Sequence, residues 1–345
     1  SPLTPHLPTL VPRPSSPARD GQDRFEQRRF LAEPIDPGRP TSPWLVRPEG
    51  LTTDWARLVG PSDYQAHLGA NSGGANGVYW LHVLGEADGG VLVRNIAARG
   101  KRSVATVEQV IEPDLVYPLL RWADVARYRA APSAHLLLVQ DLQTRRGIEE
   151  QVLRDRYPKT YAYLERFAPA LRDRAAYKRY QRHAAFYSMY NVGRYTVAPV
   201  KVVWRRMDRR VNAAVVEVLE DPILGARAAI PQETCVLVAA RSSDEAHYLS
   251  AVLNSAIVGF LVTSHSVRGG KGFGSPGMLD FIRLRQFEPG APLHQELAMA
   301  SRRAHQSAER GEPIFEIQRE IDEMAGRLWG LARNELHAIQ RELIC

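Results

Sequence analysis

Apolar and polar positions along this chain change their period in blocks. Between about residues 51 and 145, short apolar runs (GVYWLHVLG, GGVLVRNIA, AHLLLVQDL) are separated by turn residues, which predicts strands. From 148 to about 190 the step becomes three and four, with Tyr161, Leu164, Ala168 and Leu171 on one helical face. Pro158 suits a first helical turn, and Pro169 an end or a kink. Strand-like runs return in YTVAPVKVVW, VNAAVVEVL and TCVLVAARS. A helix is predicted from Ser243 to Phe260, capped by Ser243 or Asp244, with Ala246, Leu249, Val252, Leu253 and Ile257 as its apolar stripe. The last fifty residues read as two or three helices. Ile314, Ile317, Ile321, Met324 and Leu328 keep an a/d spacing, which predicts a partner helix in the same chain or in another. Gly330 breaks that pattern, and Asn334 is placed to cap a terminal helix carrying Leu336, Ile339 and Leu343.

These blocks predict an α/β (α+β) fold, with a mixed sheet through the middle and a helical segment over residues 291–345. Residues 1–50 carry many prolines and show neither period, so they read as a linker or extended arm. The sequence starts at Ser1 inside this Pro-rich stretch, which reads as a processed product or a part of something longer.

Charge narrows the choice of partner. The 345 residues are 44% hydrophobic and 24% charged, with a formal net charge of +7 and a pI near 9.5. That excess favours an anionic partner, because lysine and arginine that neutralise phosphates release counterions. Two cysteines, Cys235 and Cys345, provide neither a disulfide framework nor a Cys-rich zinc site, which fits a reducing cytoplasm. No apolar run reaches the roughly 18 residues of a membrane span, so no membrane partner is expected.

Motifs for chemistry fail on spacing or context. There is no His-Glu-x-x-His and no run of His, Asp and Glu with metal-ligand spacing. The glycines of GANSGGANG, Gly73, Gly74 and Gly77, suit a hairpin turn; a phosphate loop would need a Gly-Lys-Ser/Thr ending, which is missing. GKGFGSPG has the glycines of a dinucleotide fingerprint but not its strand-to-helix setting. His265 between two serines has no third partner and reads as a loop residue. Glu112 and Asp114 in IEPDLVYPLL suit a helix start better than acid-base work.

Two stretches concentrate positive charge. Eight of the thirteen tyrosines lie between Tyr157 and Tyr195, interleaved with Arg172, Arg174, Lys178, Arg179 and Arg182. In VKVVWRRMDRR, Val203 points to one face of a strand and Val202 and Trp204 to the other before the arginines leave the core.

The ordered segments LGANSGGANGVYWLHVL, IEPDLVYPLLRWADVARY, YPKTYAYLERFAPALRDR, YTVAPVKVVWRRM, EAHYLSAVLNSAIVGFLV and GFGSPGMLDFIRLRQF resemble the C-terminal target-recognition region of adenine-N6 DNA methyltransferases. The likeness is to TaqI-like and type IIG restriction-modification enzymes and to phage-defence methyltransferases. It covers roughly residues 60 to 340, including a closing helix in which Ile321-Asp322 precedes Trp329-Gly330-Leu331. The resemblance implies a DNA target-recognition domain over 51–290, double-stranded DNA as partner, and a methyltransferase catalytic domain or subunit beside it. Such enzymes bind S-adenosylmethionine through a Phe-x-Gly-x-Gly-type loop and hold the target base with Asn-Pro-Pro-Tyr/Phe. Neither motif occurs here, so no cofactor and no catalytic residue are expected in this chain, and S-adenosylmethionine belongs to the parent enzyme. Lys201, Arg205, Arg206, Arg209 and Arg210, with Arg268 and Lys271 of the Gly-rich loop and Lys178, Arg179 and Arg182, are the residues expected on DNA. A separate specificity subunit joined through the Ile314 to Leu328 seam is a variant of this reading. A basic scaffold for an acidic protein is the alternative.

Overall fold

The computed structural model describes residues 7–11, 26–36, 38, 41–42, 44–51, 53–100, 103–265, 270 and 272–344, with side chains between residues 29 and 343. Strands β1 (Leu7–Val11), β2 (Glu26–Pro34) and β3 (Trp44–Pro48) form an antiparallel sheet in order. The stretch expected as an extended arm therefore contains paired strands. Of its described prolines, Pro34 and Pro48 end strands, and Pro8 lies within the edge strand β1, where a missing N–H is tolerated. Leu45 of β3 is buried in the same core as the C-terminal helices.

The next strands are β4 (His67–Leu68), β5 (Trp80–Ala87), β6 (Gly90–Asn95), β7 (Glu108–Ile111), β8 (Val116–Leu120), the hairpin β9 (Val125–Ala126) and β10 (Arg129–Ala130), β11 (Ala134–Leu137), and the pair β12 (Gln140–Asp141) and β13 (Arg146–Gly147). Later come β14 (Lys201–Arg205), β15 (Ala213–Val216), the hairpin β16 (Val218–Asp221) and β17 (Gly225–Ala228), β18 (Ile230–Pro231) and β19 (Cys235–Ala239). Two sheets dominate. One is six-stranded in the order β18-β8-β11-β5-β6-β7, antiparallel except for the parallel β18–β8 pair; the other is the antiparallel β15-β14-β19-β4.

Each sheet has its own helices. Short helices α1 (Asn76–Tyr79), α2 (Glu150–Arg156), α3 (Pro158–Arg166), α4 (Ala168–Arg172) and α5 (Ala175–Tyr180) belong to the side of the six-stranded sheet, where Tyr79, Leu81, Tyr163, Leu164 and Leu171 are fully buried. The glycine cluster forms a turn with Gly73 and Gly74 at positive φ, and it leads into α1 rather than into a hairpin. Pro158 is the first residue of α3, and Pro169 lies in the first turn of α4, so the chain bends at Phe167. Glu112 precedes a 3-10 turn at Pro113–Leu115 with Asp114 in it, as expected, and its carboxylate also starts a remote helix: it accepts from the Lys159 and Thr160 amides and the Thr160 hydroxyl at the N-terminus of α3. Burial opposes the charge on Glu112, and these hydrogen bonds outweigh it, holding the carboxyl below its usual range.

The four-stranded sheet packs on α6 (Ser243–Leu253), α7 (Ala256–His265), α8 (Pro292–Glu309), α9 (Phe315–Leu328) and α10 (Arg333–Ile344). The helix predicted over 243–260 is two helices meeting at 58°, capped by Ser242 rather than by Ser243 or Asp244. Among the described residues no single helix is long and apolar enough to cross a membrane. His265 ends α7 with its ring 4.1 Å from that of Phe281. The a/d stripe of α9 finds its partners in the chain itself, with Ile321 fully buried and Ile317, Met324 and Leu328 packed on the core shared with α8 and α6. Residues on both sides of position 290 contribute to this one core. A third cluster joins the sheets, with Val203, Val216, Cys235 and Leu237 of the four-stranded sheet meeting Leu120 and Val125.

Candidate nucleic-acid interface

Strand β14 sits between β15 and β19, so both its edges are hydrogen-bonded. Val202 and Trp204 enter the helix-side core and Val203 the cluster between the sheets, as the alternation predicts. Where the strand ends, the Gly-rich loop holds it. Trp204 Nε1 donates to the Gly274 carbonyl at 2.8 Å, and the Gly274 amide donates back to the Arg206 carbonyl at 2.8 Å. A Cβ at 274 would stand 2.4 Å from the Arg205 carbonyl oxygen, so only glycine allows this approach. The Arg206 amide donates to the Thr234 carbonyl, and the exit from the strand is thereby fixed on both sides.

The arginines and lysines expected on DNA divide by what holds them. Lys201 is a correction: it is 1% exposed, and its Nζ donates to the Thr196 and Ala229 carbonyls at 2.8 Å each. Burial lowers its pKa to about 7, and it has no path to a phosphate. Arg205 is largely committed inside the fold. Its guanidinium lies 4.0 Å from the Trp122 ring centroid, Nε donates to the Val125 carbonyl at 2.5 Å, and one terminal nitrogen contacts Asp208 at 3.3 Å. Arg206 is half-buried and its Nε has no hydrogen-bond partner. Arg209 and Arg210 are exposed, and among the described residues no ion pair engages either of them. The one acid in this turn, Asp208, is turned toward Arg205, Asn212 and the Arg209 amide.

Lys178, Arg179 and Arg182 lie on and just after α5, on the six-stranded side of the molecule, and all three are exposed. Lys178 pairs with Asp173, Arg182 Nε donates to the Lys178 carbonyl, and Arg179 lies over the Tyr180 ring. Their neighbour Arg174 is buried and donates to four backbone carbonyls, those of Leu171, Ser72, Ser188 and Phe186. Arg268 and Lys271 lie outside the described residues.

The structure adds side chains that the sequence reading passed over. Trp122 follows β8 and is 40% exposed; its indole N–H donates to the Met207 carbonyl at 2.6 Å, bridging the two sheets at the base of the arginine turn. Arg127, from the turn between β9 and β10, and Arg319 of α9 join Arg209 and Arg210 around a cavity of about 420 Å³. The Arg-Trp pair at the end of an apolar run was the visible signal for Trp122. Nothing in the local pattern points to Arg319, which is an ordinary exposed helix position. The cavity also contains Asp322, whose oxygens accept from the Ala256 amide and from Gln318 and Gln340. Burial raises the pKa of that carboxyl despite these donors.

Together the turn after β14 offers a half-buried and two exposed guanidiniums on a rigid base, flanked by an exposed tryptophan. Such a surface can hold phosphates through bidentate hydrogen bonds and can stack on flat rings. Among the described residues no cluster of His, Cys, Asp and Glu has the form of a metal site.

No family model and no curated protein matches this chain. Eighteen chains of solved structures do match it. One is the type IIL restriction-modification enzyme MmeI, solved in complex with DNA, at a TM-score of 0.52 and 8% identity over 98% of this chain. This chain spans 41% of that one. The likeness extends over nearly every residue here, and at this identity what the chain shares with that restriction-modification enzyme is its fold.

Proposed function

We propose that this chain is the DNA-recognition part of an adenine-N6 DNA methyltransferase of the restriction-modification or phage-defence kind, with S-adenosylmethionine and methyl transfer belonging to a catalytic part outside these residues. The observation that carries the reading is the fold shared, over almost the whole chain, with part of a restriction-modification enzyme solved on DNA. The excess of positive charge and the Arg206 to Arg210 turn support it. In this reading Arg209 and Arg210 contact the duplex, Arg206 assists them, and Arg205 with Trp122 braces the turn. The catalytic part is on the same polypeptide or on a partner subunit. Because α9 already packs within the chain, a partner subunit would dock elsewhere than on its a/d seam.

The decisive substitution is Arg209→Glu with Arg210→Glu, since both side chains are exposed and reversal leaves the core untouched. Loss of two phosphate or base contacts lowers duplex affinity by roughly thirtyfold or more and reduces the log-log salt slope by about 2. Unchanged affinity in a folded double variant would remove the turn from the interface. Reversal of Arg205 would be uninformative, because its guanidinium holds Val125 and Trp122 in place.

A further inference from the structure

Arg209 and Arg210 do more than face outward. With Arg127 and Arg319 they line the cavity of about 420 Å³ beside the break between α6 and α7. Part of its wall is apolar, from Leu253, Gly259 and Leu343, and Phe315 lines it although 72% exposed. A large aromatic ring left in water beside a cavity lined by four arginines has no packing explanation. Arg127 reaches the Asn254 carbonyl with one terminal nitrogen, while its Nε is buried without a partner. The acid in the wall, Asp322, accepts from three protein donors and interacts with the charge of Arg127, and Glu316 pairs with Arg319; among the described residues no carboxylate pairs with Arg209 or Arg210.

We propose that this cavity is a nucleotide site, with the flat base against Phe315 and the apolar wall and the phosphate among the guanidiniums. Stacking of a base on an aromatic ring and bidentate arginine–phosphate pairing are the chemistry these groups provide. The volume suits a small ligand rather than a length of peptide. The nucleotide is either a free mononucleotide or an unstacked nucleotide of bound DNA; the second source rests on the DNA reading above, because Arg209 and Arg210 then serve both.

The test titrates deoxyadenosine 5′-monophosphate into the whole chain by calorimetry, with Phe315→Ala and Arg319→Gln as variants. Both side chains are exposed, so an unchanged melting curve confirms that the variants fold. The expected result is saturable binding that each variant weakens roughly tenfold. Excess duplex then identifies the source together with base unstacking: displacement of the mononucleotide with unstacking of a base means a nucleotide from the strand, and simultaneous binding, or displacement without unstacking, means a free one. In parallel, 2-aminopurine carried through successive positions of a bound duplex brightens where a base unstacks. Absence of both mononucleotide binding and unstacking overturns the proposal, as does binding that neither variant weakens. Duplex affinity on the same samples keeps the two readings apart. A chain that binds duplex without either signal loses the nucleotide site alone; one that binds the mononucleotide but no duplex loses the DNA reading alone.

Discussion

Lys201 and Arg174 are basic like Arg209 and Arg210 but direct their N–H groups at backbone carbonyls inside the fold. Four residues separate Lys201 from the strand exit, and that distance decides between a core position and an interface. Because burial lowers the pKa of Lys201 to about 7, against about 10.4 in an unfolded chain, the unfolded state binds more protons between those values. Stability contributed by this site therefore rises with pH from about 7 toward 10 and is lowest below 7. The variant Lys201→Met should lose that rise, measured by denaturant unfolding at pH 7 and pH 9.5, while duplex affinity stays unchanged. An equal rise in the variant would show that Lys201 is not the titrating group, and a large loss of affinity in a folded variant would return it to the interface. A lone sequence shows the charge but not the packing: apolar clusters cover both faces of β14, and the Thr196 and Ala229 carbonyls hold the amine of its first residue inside.

At the scale of elements, two carboxylates hold helix starts that are distant in sequence. Asp322 of α9 accepts from the first amide of α7 and from two glutamines, fixing the bend between α6 and α7 that also shapes the cavity. Removing it in Asp322→Ala leaves the part-buried Ala256 amide and two glutamine amides without their acceptor and should cost roughly 1–2 kcal/mol, read from chemical denaturation. A loss below a few tenths would mean that the bend is held by packing alone. Glu112 does the same for α3, and Glu112→Ala should cost about 1 kcal/mol near neutral pH. Since its folded pKa lies below 4.5, that contribution is complete above 4.5 and fades as the pH falls through the folded value. The difference between wild type and variant should accordingly vanish in acid; a difference that persists there would assign it to packing. Local pattern revealed the strands, the a/d stripe of α9 and the inward alternation of β14. It did not reveal the break after Leu253, because apolar spacing runs on through Asn254 and Ser255 while the backbone turns by 58°. Nor did it reveal the strands of residues 26–48, where prolines hide the period.

At the scale of the whole molecule, two sheet-and-helix cores meet through a small apolar cluster, and the arginine turn lies at that junction with Trp122 bridging the halves. The fold class was legible from the order of strand and helix blocks. The interface was legible only as a neighbourhood, the segment 201–210, because which arginines reach solvent depends on contacts from Gly274, Val125 and Asp208 far away or around a turn. The central claim, recognition of DNA by sequence, is tested most directly by binding the chain to a pool of random duplexes at two salt concentrations and sequencing the retained fraction. The account predicts affinity that falls steeply with salt, by a log-log slope of roughly 0.9 per phosphate contacted, and enrichment of one short motif. Retention that salt does not weaken, or no retention at all, would contradict it.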